Sequence, residues 1–312
     1  MTVVQPHEAS PWYEPVFAGA HRLNGNGELT GLEWIRESGM LCSPIALTNT
    51  HSVGVVRDAL ISAEIASRSD EREFWSLPVV GETWDGLLND INGMHVRPEH
   101  VEAALASASD GPVAEGNVGG GTGMVCHQFK GGIGTASRKV EGGYTLGVLV
   151  QANYGTRESL TIAGVPIGKE ITDLKAEIHS LVPTGSGNSI LVIIATDAPL
   201  LPHQLKRVAK RATIGLAKVG GTGENSSGDL FLAFSTAATK QSPDKPNVRT
   251  VSMLENDAMN EFFTATAQAT EEAIVNALVA AETMTGINSN KVYALPHDRL
   301  QSVLQKYGRL RK

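Results

Sequence analysis

The chain has 312 residues, of which 41% are hydrophobic and 19% charged, and this ordinary globular composition excludes a disordered or collagen-like protein. With 26 basic and 33 acidic residues, the formal net charge is −7, which argues against nucleic acid or an anionic membrane as the partner, since both need a basic face. Glycine contributes 33 of the 312 residues, which is more than the usual share of about 7%. This excess of glycine needs a physical reason.

Targeting signals and cysteine pairs are also missing from the pattern. The first residues, MTVVQPHEAS, contain no basic stretch followed by an apolar run, and no apolar segment has the length of a bilayer-spanning helix. The two cysteines, Cys42 and Cys126, cannot build a disulfide framework or a four-ligand zinc site. We therefore expect a cytoplasmic protein that binds neither a membrane nor nucleic acid.

In the first part of the chain, turns alternate with short apolar segments. The dipeptides Asn-Gly-Asn-Gly at 24–27 predict a tight turn, because Asn and Gly tolerate positive φ. Apolar spacing predicts a strand at 44–50 and a helix at 55–67. A loop follows at 81–86, and a helix opened by a proline follows at 98–107.

The rest of the chain reads as alternating strands and helices, which is the pattern of an α/β fold. A polar segment at 169–186, ending in the irregular stretch 183–187, is interpreted as a linker or mobile loop. The remaining predicted elements are strands at 144–153, 189–196 and 229–235, a helix at 202–218, and a long helix or helix pair at 254–284.

Two familiar kinds of site are not supported by the spacing. The glycine cluster at 116–123 lacks the lysine and hydroxyl of a phosphate loop, and no dinucleotide fingerprint is present, so a nucleotide-binding module is a weak alternative. Its glycines are better explained by tight turns and close backbone packing. His95 and His100 are separated by Pro98, which spoils a helical metal pair. We expect no metal and no cofactor.

The junction GSGNSI at 185–190 allows two interpretations. It is either a Gly/Asn turn that enters a strand, or a site of self-cleavage. In the second case, the hydroxyl of Ser189 attacks the carbonyl of Asn188, and hydrolysis of the ester frees Ser189 as a new N-terminus. Its α-amine, with an ordinary pKa of about 7.7–8.0, then serves as base to its own hydroxyl.

Several long motifs carry a resemblance to a known family. They are NGNGELTG (24–31), ALTNTHSVGVVRDA (46–59), VVGETWDG (79–86), GNVGGGTGMVCHQFKGGIGTASR (116–138), GNSILVIIATDAPLLPHQLKRVAKRA (187–212) and SGDLFLAFST (227–236). Over nearly its whole length the chain resembles the self-processing aminopeptidases, which comprise the L-aminopeptidase/D-amidase-esterases and the β-peptidyl aminopeptidases. Members cut themselves before a serine and remove N-terminal residues from peptides, amides or esters.

The resemblance implies a nucleophile and an oxyanion group. Ser189 matches the nucleophile and Asn188 the residue before the cut, so a single domain of residues 1–312 is expected to become a larger piece, 1–188, and a smaller piece, 189–312. Asn153 matches the residue whose side-chain amide stabilises the tetrahedral oxyanion. Without the resemblance, Asn153 would simply cap the end of a strand.

Three acidic or hydroxyl-bearing residues complete the implied site. Ser227 and Asp229 match a serine and an acidic residue that assist the nucleophile, and at positions i and i+2 they can share one strand face and form a relay toward Ser189. Glu82 matches a carboxylate that pairs with the free amine of the substrate. Without the resemblance, the tripeptide Ser-Gly-Asp would be typical of a turn, and a glutamate in a loop would typically be solvated.

Two departures from the family pattern bear on these expectations. Trp84 stands where the family has tyrosine, and an indole N–H donates a hydrogen bond but neither accepts one nor ionises. We expect Trp84 to alter the rate or the substrate range. The segment that precedes the first residues in relatives has no match here, so either the start lies elsewhere or an early strand is dispensed with.

The fold implied by the resemblance is a four-layer α-β-β-α sandwich, assembled into a homo-oligomer of cleaved heterodimers. The implied activity is that of a serine aminopeptidase acting on peptides or amino-acid amides and esters with a free N-terminus, without a cofactor. Two alternatives stay open: an amidase or esterase for non-peptide amides, and a truncated, unprocessed and non-catalytic homologue.

Overall fold

The structure is a computed structural model, which describes residues 1–70, 72–179, 188–237, 240–241 and 247–310. Its helices are α1 (Leu32–Ser38), α2 (Val53–Ser67), α3 (Pro98–Ala106), α4 (Ile167–Glu170), α5 (Pro202–Lys218), α6 (Met259–Ala280) and α7 (His297–Lys306). Its strands are β1 (Thr2–Val4), β2 (Val16–Arg22), β3 (Met40–Leu41), β4 (Ile45–Asn49), β5 (Val79–Thr83), β6 (Val125–Cys126), β7 (Phe129–Lys130), β8 (Gly132–Lys139), β9 (Thr145–Asn153), β10 (Asn188–Thr196), β11 (Ser227–Ser235), β12 (Lys240–Gln241), β13 (Arg249–Thr250), β14 (Met284–Thr285) and β15 (Lys291–Val292).

The architecture has four layers, and the two inner layers are sheets. Within the described residues, one sheet has six strands in the order β3-β2-β11-β10-β9-β8, and the facing sheet has three in the order β1-β4-β5. Helices α5 and α6 cover the outer face of the large sheet, and α2 and α3 cover that of the small sheet. The inner faces share one apolar core, in which Leu191 and Leu232 join Leu47 and Val79. The predicted α-β-β-α sandwich is confirmed.

Strand β10 lies inside the large sheet and is covered on both faces. Successive side chains of a strand point to opposite faces, so Ile190 and Val192 pack toward the helices while Leu191 and Ile193 pack toward the small sheet. A strand buried on both faces needs a continuous apolar run. That need explains why SILVIIAT lacks the alternation of a surface strand.

The topology brings the ends of three strands together at one edge of the large sheet. Strand β10 runs parallel to β11 and antiparallel to β9, so the end of β9 meets the starts of β10 and β11. In register, Ser189 lies between Asn153 of β9 and Gly228 of β11. Residues from three distant parts of the sequence therefore become neighbours.

Most predicted elements are confirmed, and the differences have physical reasons. The prediction of a loop at 81–86 is wrong for residues 81–83. These residues belong to β5, which continues through Thr83 because its backbone pairs in parallel with β4. The long helix or helix pair is a single helix, α6. The sequence patterns missed β2 and β8, whose small and polar residues give no continuous apolar run.

The glycine cluster is packed against other backbone. A Cβ at Gly120 would lie 2.9 Å from the carbonyl oxygen of Leu47, and one at Gly121 would lie 2.4 Å from the backbone nitrogen of Ile133. Real Cβ atoms do not approach other atoms so closely. This packing supports the interpretation of these glycines as close-approach positions.

Several other expectations concern features of the described residues. The segment predicted as a linker begins with α4 and is described to His179, whereas the irregular stretch at 183–187 lies outside the described residues. Within the ranges given above, no helix is long and apolar enough to cross a membrane, and no cluster of three or more His, Cys, Asp or Glu side chains could hold a metal ion. Cys42 and Cys126 are free thiols.

Candidate active site

Ser189 is the second residue of β10 and is buried, with 4% of its surface exposed. It shares a sheet face with Leu191, so its side chain is directed toward the small sheet. Its Oγ accepts a hydrogen bond of 3.1 Å from the backbone N–H of Gly228. The hydroxyl is thus held in place at the edge of the sheet by a backbone donor.

Asn153 is the last residue of β9 and lies directly opposite Ser189. Its Oδ1 accepts a hydrogen bond of 2.7 Å from the N–H of Val125, and its Nδ2 donates one of 2.8 Å to the carbonyl oxygen of Trp84. These two bonds fix the plane and the orientation of the amide. The structure therefore brings a rigid side-chain N–H donor to the same edge as Ser189.

Ser227 and Asp229 are buried at the start of β11, and their side chains contact each other. The Ser227 hydroxyl donates to Asp229 Oδ1 at 2.5 Å. Both residues share the sheet face of Asn188 and Ile190, because Asn188 pairs with Ser227 and Ile190 with Asp229. The pair therefore lies on the face opposite the Ser189 hydroxyl, and Asp229 approaches β10 by accepting the backbone N–H of Ile190.

The environment of Asp229 makes its carboxyl harder to ionise than an ordinary aspartic acid. Burial raises the pKa of its carboxyl to about 6, although hydrogen bonds from Ser227, Asn24 and the Ile190 backbone act in the opposite direction. The backbone N–H of Asp229 donates to Asn24 Oδ1 at 2.6 Å, which fixes the residue from the other side. A carboxyl with such a pKa can exchange a proton near neutral pH.

Asn188 is the half-buried first residue of β10. Its Nδ2 donates a hydrogen bond of 2.6 Å to Glu224 Oε2. Sequence reasoning missed Glu224, because this residue stands in a loop far along the chain and only the parallel pairing of β10 with β11 brings it to Asn188. The side chain of the residue before Ser189 is therefore anchored to a carboxylate.

Glu82 lies in strand β5 with 4% of its surface exposed. Its Oε1 accepts the backbone N–H of Glu28 at 2.9 Å, and its Oε2 accepts the hydroxyl of Thr50. Burial raises the pKa of the Glu82 carboxyl. A buried carboxylate that keeps lone pairs for a further partner is suited to bind a cation.

The loop at 24–27 packs between Glu82 and the start of β11. A Cβ at Gly27 would lie 3.3 Å from Glu82 Oε1 and 3.0 Å from the Cα of Gly228. A Cβ at Gly228 would in turn lie 2.5 Å from the Asn26 carbonyl oxygen. Glycine at both positions lets the loop pass between the carboxylate and the strand that holds Ser189.

Trp84 is half-buried just beyond β5. Its backbone carbonyl accepts the Asn153 amide, so this contact does not depend on the type of side chain. The indole ring folds over Gly86, where a Cβ would lie 2.6 Å from the ring carbon Cζ2. The structure thus places the predicted substrate-binding residue beside Asn153 with its ring turned toward Gly86.

Two further residues at this edge were not selected from the sequence. Asn24 belongs to the predicted turn, but its side chain also bridges the carbonyl of Glu224 and the N–H of Asp229. Asp85 is buried and accepts hydrogen bonds from Asn49 at 3.2 Å and from a second amide, that of Asn89, at 3.0 Å. Burial raises the pKa of Asp85. Neither role has a local sequence signal.

Together these groups form one edge of the sheet at which N–H donors surround the Ser189 hydroxyl and several carboxylates lie nearby. The backbone of Gly228 and the amide of Asn153 are donors of the kind that stabilise a developing oxyanion at an attacked carbonyl. The carboxylates of Glu82, Asp229 and Glu224 give the edge a negative potential, which attracts a cation such as an ammonium group. The arrangement suits acyl transfer from a substrate that carries a free amine.

Comparison with known proteins agrees with this chemistry. The model of peptidase family S58 matches residues 1–292. The beta-peptidyl aminopeptidase BapA of Sphingosinicella microcystinivorans is 50% identical over 311 residues, in a match that covers 95% of this chain and 77% of the relative.

Solved structures match over nearly the whole chain. A beta-aminopeptidase of Burkholderia sp. is 53% identical and superposes with a TM-score of 0.88, covering 99% of this chain and 86% of that one. The L-aminopeptidase D-Ala-esterase/amidase of Ochrobactrum anthropi is 46% identical with a TM-score of 0.87, covering 95% and 82% of the two chains. The latter is described as a prototype for the serine aminopeptidases and a variant of the Ntn hydrolase fold.

Proposed function

The chain belongs to peptidase family S58, and from this premise we propose that Ser189 is the nucleophile of a serine aminopeptidase, freed by a self-cleavage after Asn188. The family model, the named relatives and the structural neighbours make the chain a hydrolase of the aminopeptidase class. The resemblance to the self-processing aminopeptidases is thereby confirmed. The proposal concerns the roles of individual residues.

One observation carries these roles. The register of the large sheet sets Ser189 between the amide-bearing Asn153 and the backbone donor Gly228. A nucleophile flanked by fixed N–H donors has the arrangement that acyl transfer requires. The hydroxyl, the amide and the backbone donor are all held by hydrogen bonds, so little reorganisation is needed when charge develops.

Self-cleavage proceeds by an acyl shift followed by hydrolysis. Ser189 Oγ adds to the carbonyl carbon of Asn188, the C–N bond breaks, and the hydroxyl proton passes to the nitrogen, which becomes the α-amine of Ser189. Water then cleaves the ester, which leaves a carboxylate on Asn188 and restores the hydroxyl. The products are residues 1–188 and 189–312.

Turnover uses the new amine as the base. With an ordinary pKa of about 7.7–8.0, it takes the proton from the Ser189 hydroxyl as this oxygen attacks the substrate carbonyl. The Asn153 amide donates to the oxyanion, and water later releases the acyl group. Ser227 and Asp229 hold and orient the amine, since the Asp229 carboxylate already reaches the backbone N–H of the next residue, Ile190.

Glu82 and Trp84 select the substrate. Glu82 binds the ammonium group of the substrate, because its carboxylate is buried next to the loop that covers Gly228. Trp84 binds Asn153 through its backbone carbonyl, and its half-buried indole beside Gly86 borders the site. The substrates are therefore peptides, amides or esters with a free N-terminus.

The assembly and the location extend the proposal. We expect a homo-oligomer of cleaved heterodimers, which light scattering coupled to size-exclusion chromatography measures directly. The free thiols of Cys42 and Cys126 are those expected in a reducing compartment, and we propose the cytoplasm.

A denaturing gel of the purified protein tests the central claim. By residue share of 33.0 kDa, self-cleavage gives pieces of about 20 and 13 kDa, and sequencing of the smaller piece should begin at Ser189. A single intact band that persists on incubation contradicts the proposed cut. Hydrolysis of L-, D- and β-residue p-nitroanilides by the cleaved protein then defines the substrate preference.

A further inference from the structure

We infer that Glu224 is a positioning residue for the self-cleavage: it anchors the Asn188 side chain so that the scissile carbonyl stays within reach of Ser189. The inference rests on the proposed cut after Asn188. It adds to that mechanism a residue that touches neither the nucleophile nor the carbonyl, and that acts through the side chain of the residue before the cut.

The contact itself is short and charge-assisted. Asn188 Nδ2 donates to Glu224 Oε2 at 2.6 Å. Hydrogen bonds to an ionised acceptor are shorter and stronger than those between neutral groups. Because Asn188 is half-buried at the very start of β10, this bond restrains a side chain that the sheet covers only in part.

Glu224 is itself fixed to the strand beside β10. Its carbonyl oxygen accepts the Asn24 amide at 2.9 Å and the backbone N–H of Ser227 at 2.9 Å. Asn24 in turn accepts the N–H of Asp229 at 2.6 Å. Glu224 therefore lies in the loop just before β11 and is bonded to the start of that strand, so its carboxylate gives Asn188 an anchor next to the sheet.

The restraint acts on the bond that is cut. The side chains of Asn188 and Ser189 lie on opposite faces of the sheet, with the scissile peptide group between them. Glu224 holds the first side chain, and the N–H of Gly228 holds the second. Fixing both sides limits rotation of the intervening peptide, which favours the geometry in which a hydroxyl can attack the carbonyl.

The test follows the rate of self-cleavage of full-length chains made by in vitro translation and sampled over time on a denaturing gel. Glu224→Ala should slow the cut about tenfold or more, as expected for the loss of a hydrogen bond to a charged group. Glu224→Gln should stay within about threefold of the wild type, since its amide oxygen still accepts the Asn188 N–H. Glu255→Ala, which removes an exposed carboxylate elsewhere, should leave the rate unchanged.

A pair of variants that changes the charge of Asn188 and Glu224 tests for a direct interaction, because a merely structural role of Glu224 would not produce a rescue. Asn188→Asp places a second carboxylate against Glu224 and should slow the cut at pH 7, whereas the double variant Asn188→Asp with Glu224→Gln should restore it. The inference is overturned if Glu224→Ala cuts at the wild-type rate, if Glu224→Gln is as slow as Glu224→Ala, or if the double variant gives no rescue.

Folding and function are separated by further measurements. Circular dichroism checks that each variant is folded, and if Glu224→Ala is not, the pair of size-matched variants, Asn188→Asp and its rescue, decides the question. Failure of the proposed function has a different signature: the wild-type chain stays intact, or a Ser189→Ala chain is cut. Normal cutting in the wild type with no effect at Glu224 contradicts this inference alone.

Discussion

The edge where β10 and β11 begin has two faces with opposite chemistry. On the face directed toward the small sheet, which we term the hydroxyl face, lie Ser189, Gly228 and Asn153, which are neutral groups arranged around one hydroxyl. On the face toward the helices, which we term the acidic face, lie Asn188, Ser227, Asp229 and the carboxylate of Glu224. The two sets are one residue apart along each strand.

In the proposed mechanism, this separation lets one strand serve both bond making and proton transfer. A neutral donor set stabilises an oxyanion without repelling a neutral carbonyl substrate. An acidic set stabilises an ammonium group, such as the α-amine that the proposed cut would create on Ser189. Because the backbone nitrogen of Ser189 lies in the plane of the sheet and its hydroxyl projects from one face, the same residue can use both sets.

Removal of the hydroxyl should give the largest effect. Ser189→Ala should abolish the cut and lower peptide hydrolysis by about 10⁴-fold or more, the scale found when a nucleophile is removed. The cut is measured on a denaturing gel and the hydrolysis with an N-terminal residue p-nitroanilide. Ser235→Ala is a matched control, because Ser235 is a buried, hydrogen-bonded serine at the far end of β11, and this variant should be cut normally.

Removal of the amide tests the donor set of the hydroxyl face. Asn153→Ala should lower kcat by about 10²–10³, as expected for one oxyanion donor, and should slow the cut as well. Rates are compared at a temperature where thermal unfolding shows both proteins folded, because Asn153 also bonds Val125 and Trp84. Asn276→Ala, which removes a half-buried amide bonded to Thr135, should keep kcat; a normal kcat for Asn153→Ala would remove Asn153 from the mechanism.

Replacement of Asp229 on the acidic face should change the free energy of unfolding. In the uncut Ser189→Ala chain, Asp229→Asn should raise the free energy of unfolding at pH 7 by up to about 3 kcal/mol, because the pKa of the buried carboxyl is about 6 against an ordinary 3.8. The folded-state pKa is the higher one, so ionisation lowers the stability progressively between about pH 4 and pH 6, and the full cost applies above about pH 6. The gain should shrink as the pH falls from 6 toward 4 and should vanish only below the unfolded pKa of 3.8, where Asp229 is protonated in both states.

Urea unfolding at pH 7 and pH 4.5 measures this difference. Asp173→Asn is the control with the opposite sign, because the Arg299 guanidinium lowers the pKa of Asp173, so this variant should lose stability at pH 7. An equal effect of Asp229→Asn at both pH values would show that the residue is not held in a destabilised charged form. Such a result would mean that burial does not raise the pKa of Asp229.

The two faces also mark how far the sequence could predict the structure. The strand at 189–196 was predictable, since a run buried on both faces must be apolar throughout, and Ser189 and Asn153 followed from the family motifs at strand ends. The strand character of Glu82 was not predictable, because Gly-Glu-Thr-Trp-Asp-Gly has turn-like composition and only its pairing with β4 makes it extended.

The anchoring residues on the acidic face could not be found from the sequence alone. Glu224 stands in a loop with no local pattern, and Asn24 looks like an ordinary turn residue. Their contacts with Asn188 and Asp229 depend on β11 lying parallel beside β10 and on β2 lying on its other side. Such contacts are set by tertiary pairing, which short-range periodicity does not encode.

Glu82 should give the smallest effect and the sharpest distinction between the two reactions. Glu82→Gln should lower kcat/KM for substrates with a free amine by about 10–100-fold, the range for losing a hydrogen bond to a charged group. The self-cleavage should proceed at the wild-type rate, since no free ammonium group takes part before the cut. Both are measured on one preparation, by gel and by p-nitroanilide hydrolysis.

The matched control for Glu82 is Glu28→Gln. It makes the same change of charge at a residue that hydrogen-bonds Glu82 through its backbone N–H and acts on it through its carboxylate only at long range. Because the Glu28 carboxylate is exposed, the variant should leave kcat/KM within about threefold. An N-acetylated substrate should be poor for the wild type and no poorer for Glu82→Gln, because the ammonium partner is absent from both. If Glu82→Gln instead slowed the cut as strongly as the hydrolysis, Glu82 would act on the hydroxyl face itself, and the division between substrate binding and bond making would have to be redrawn.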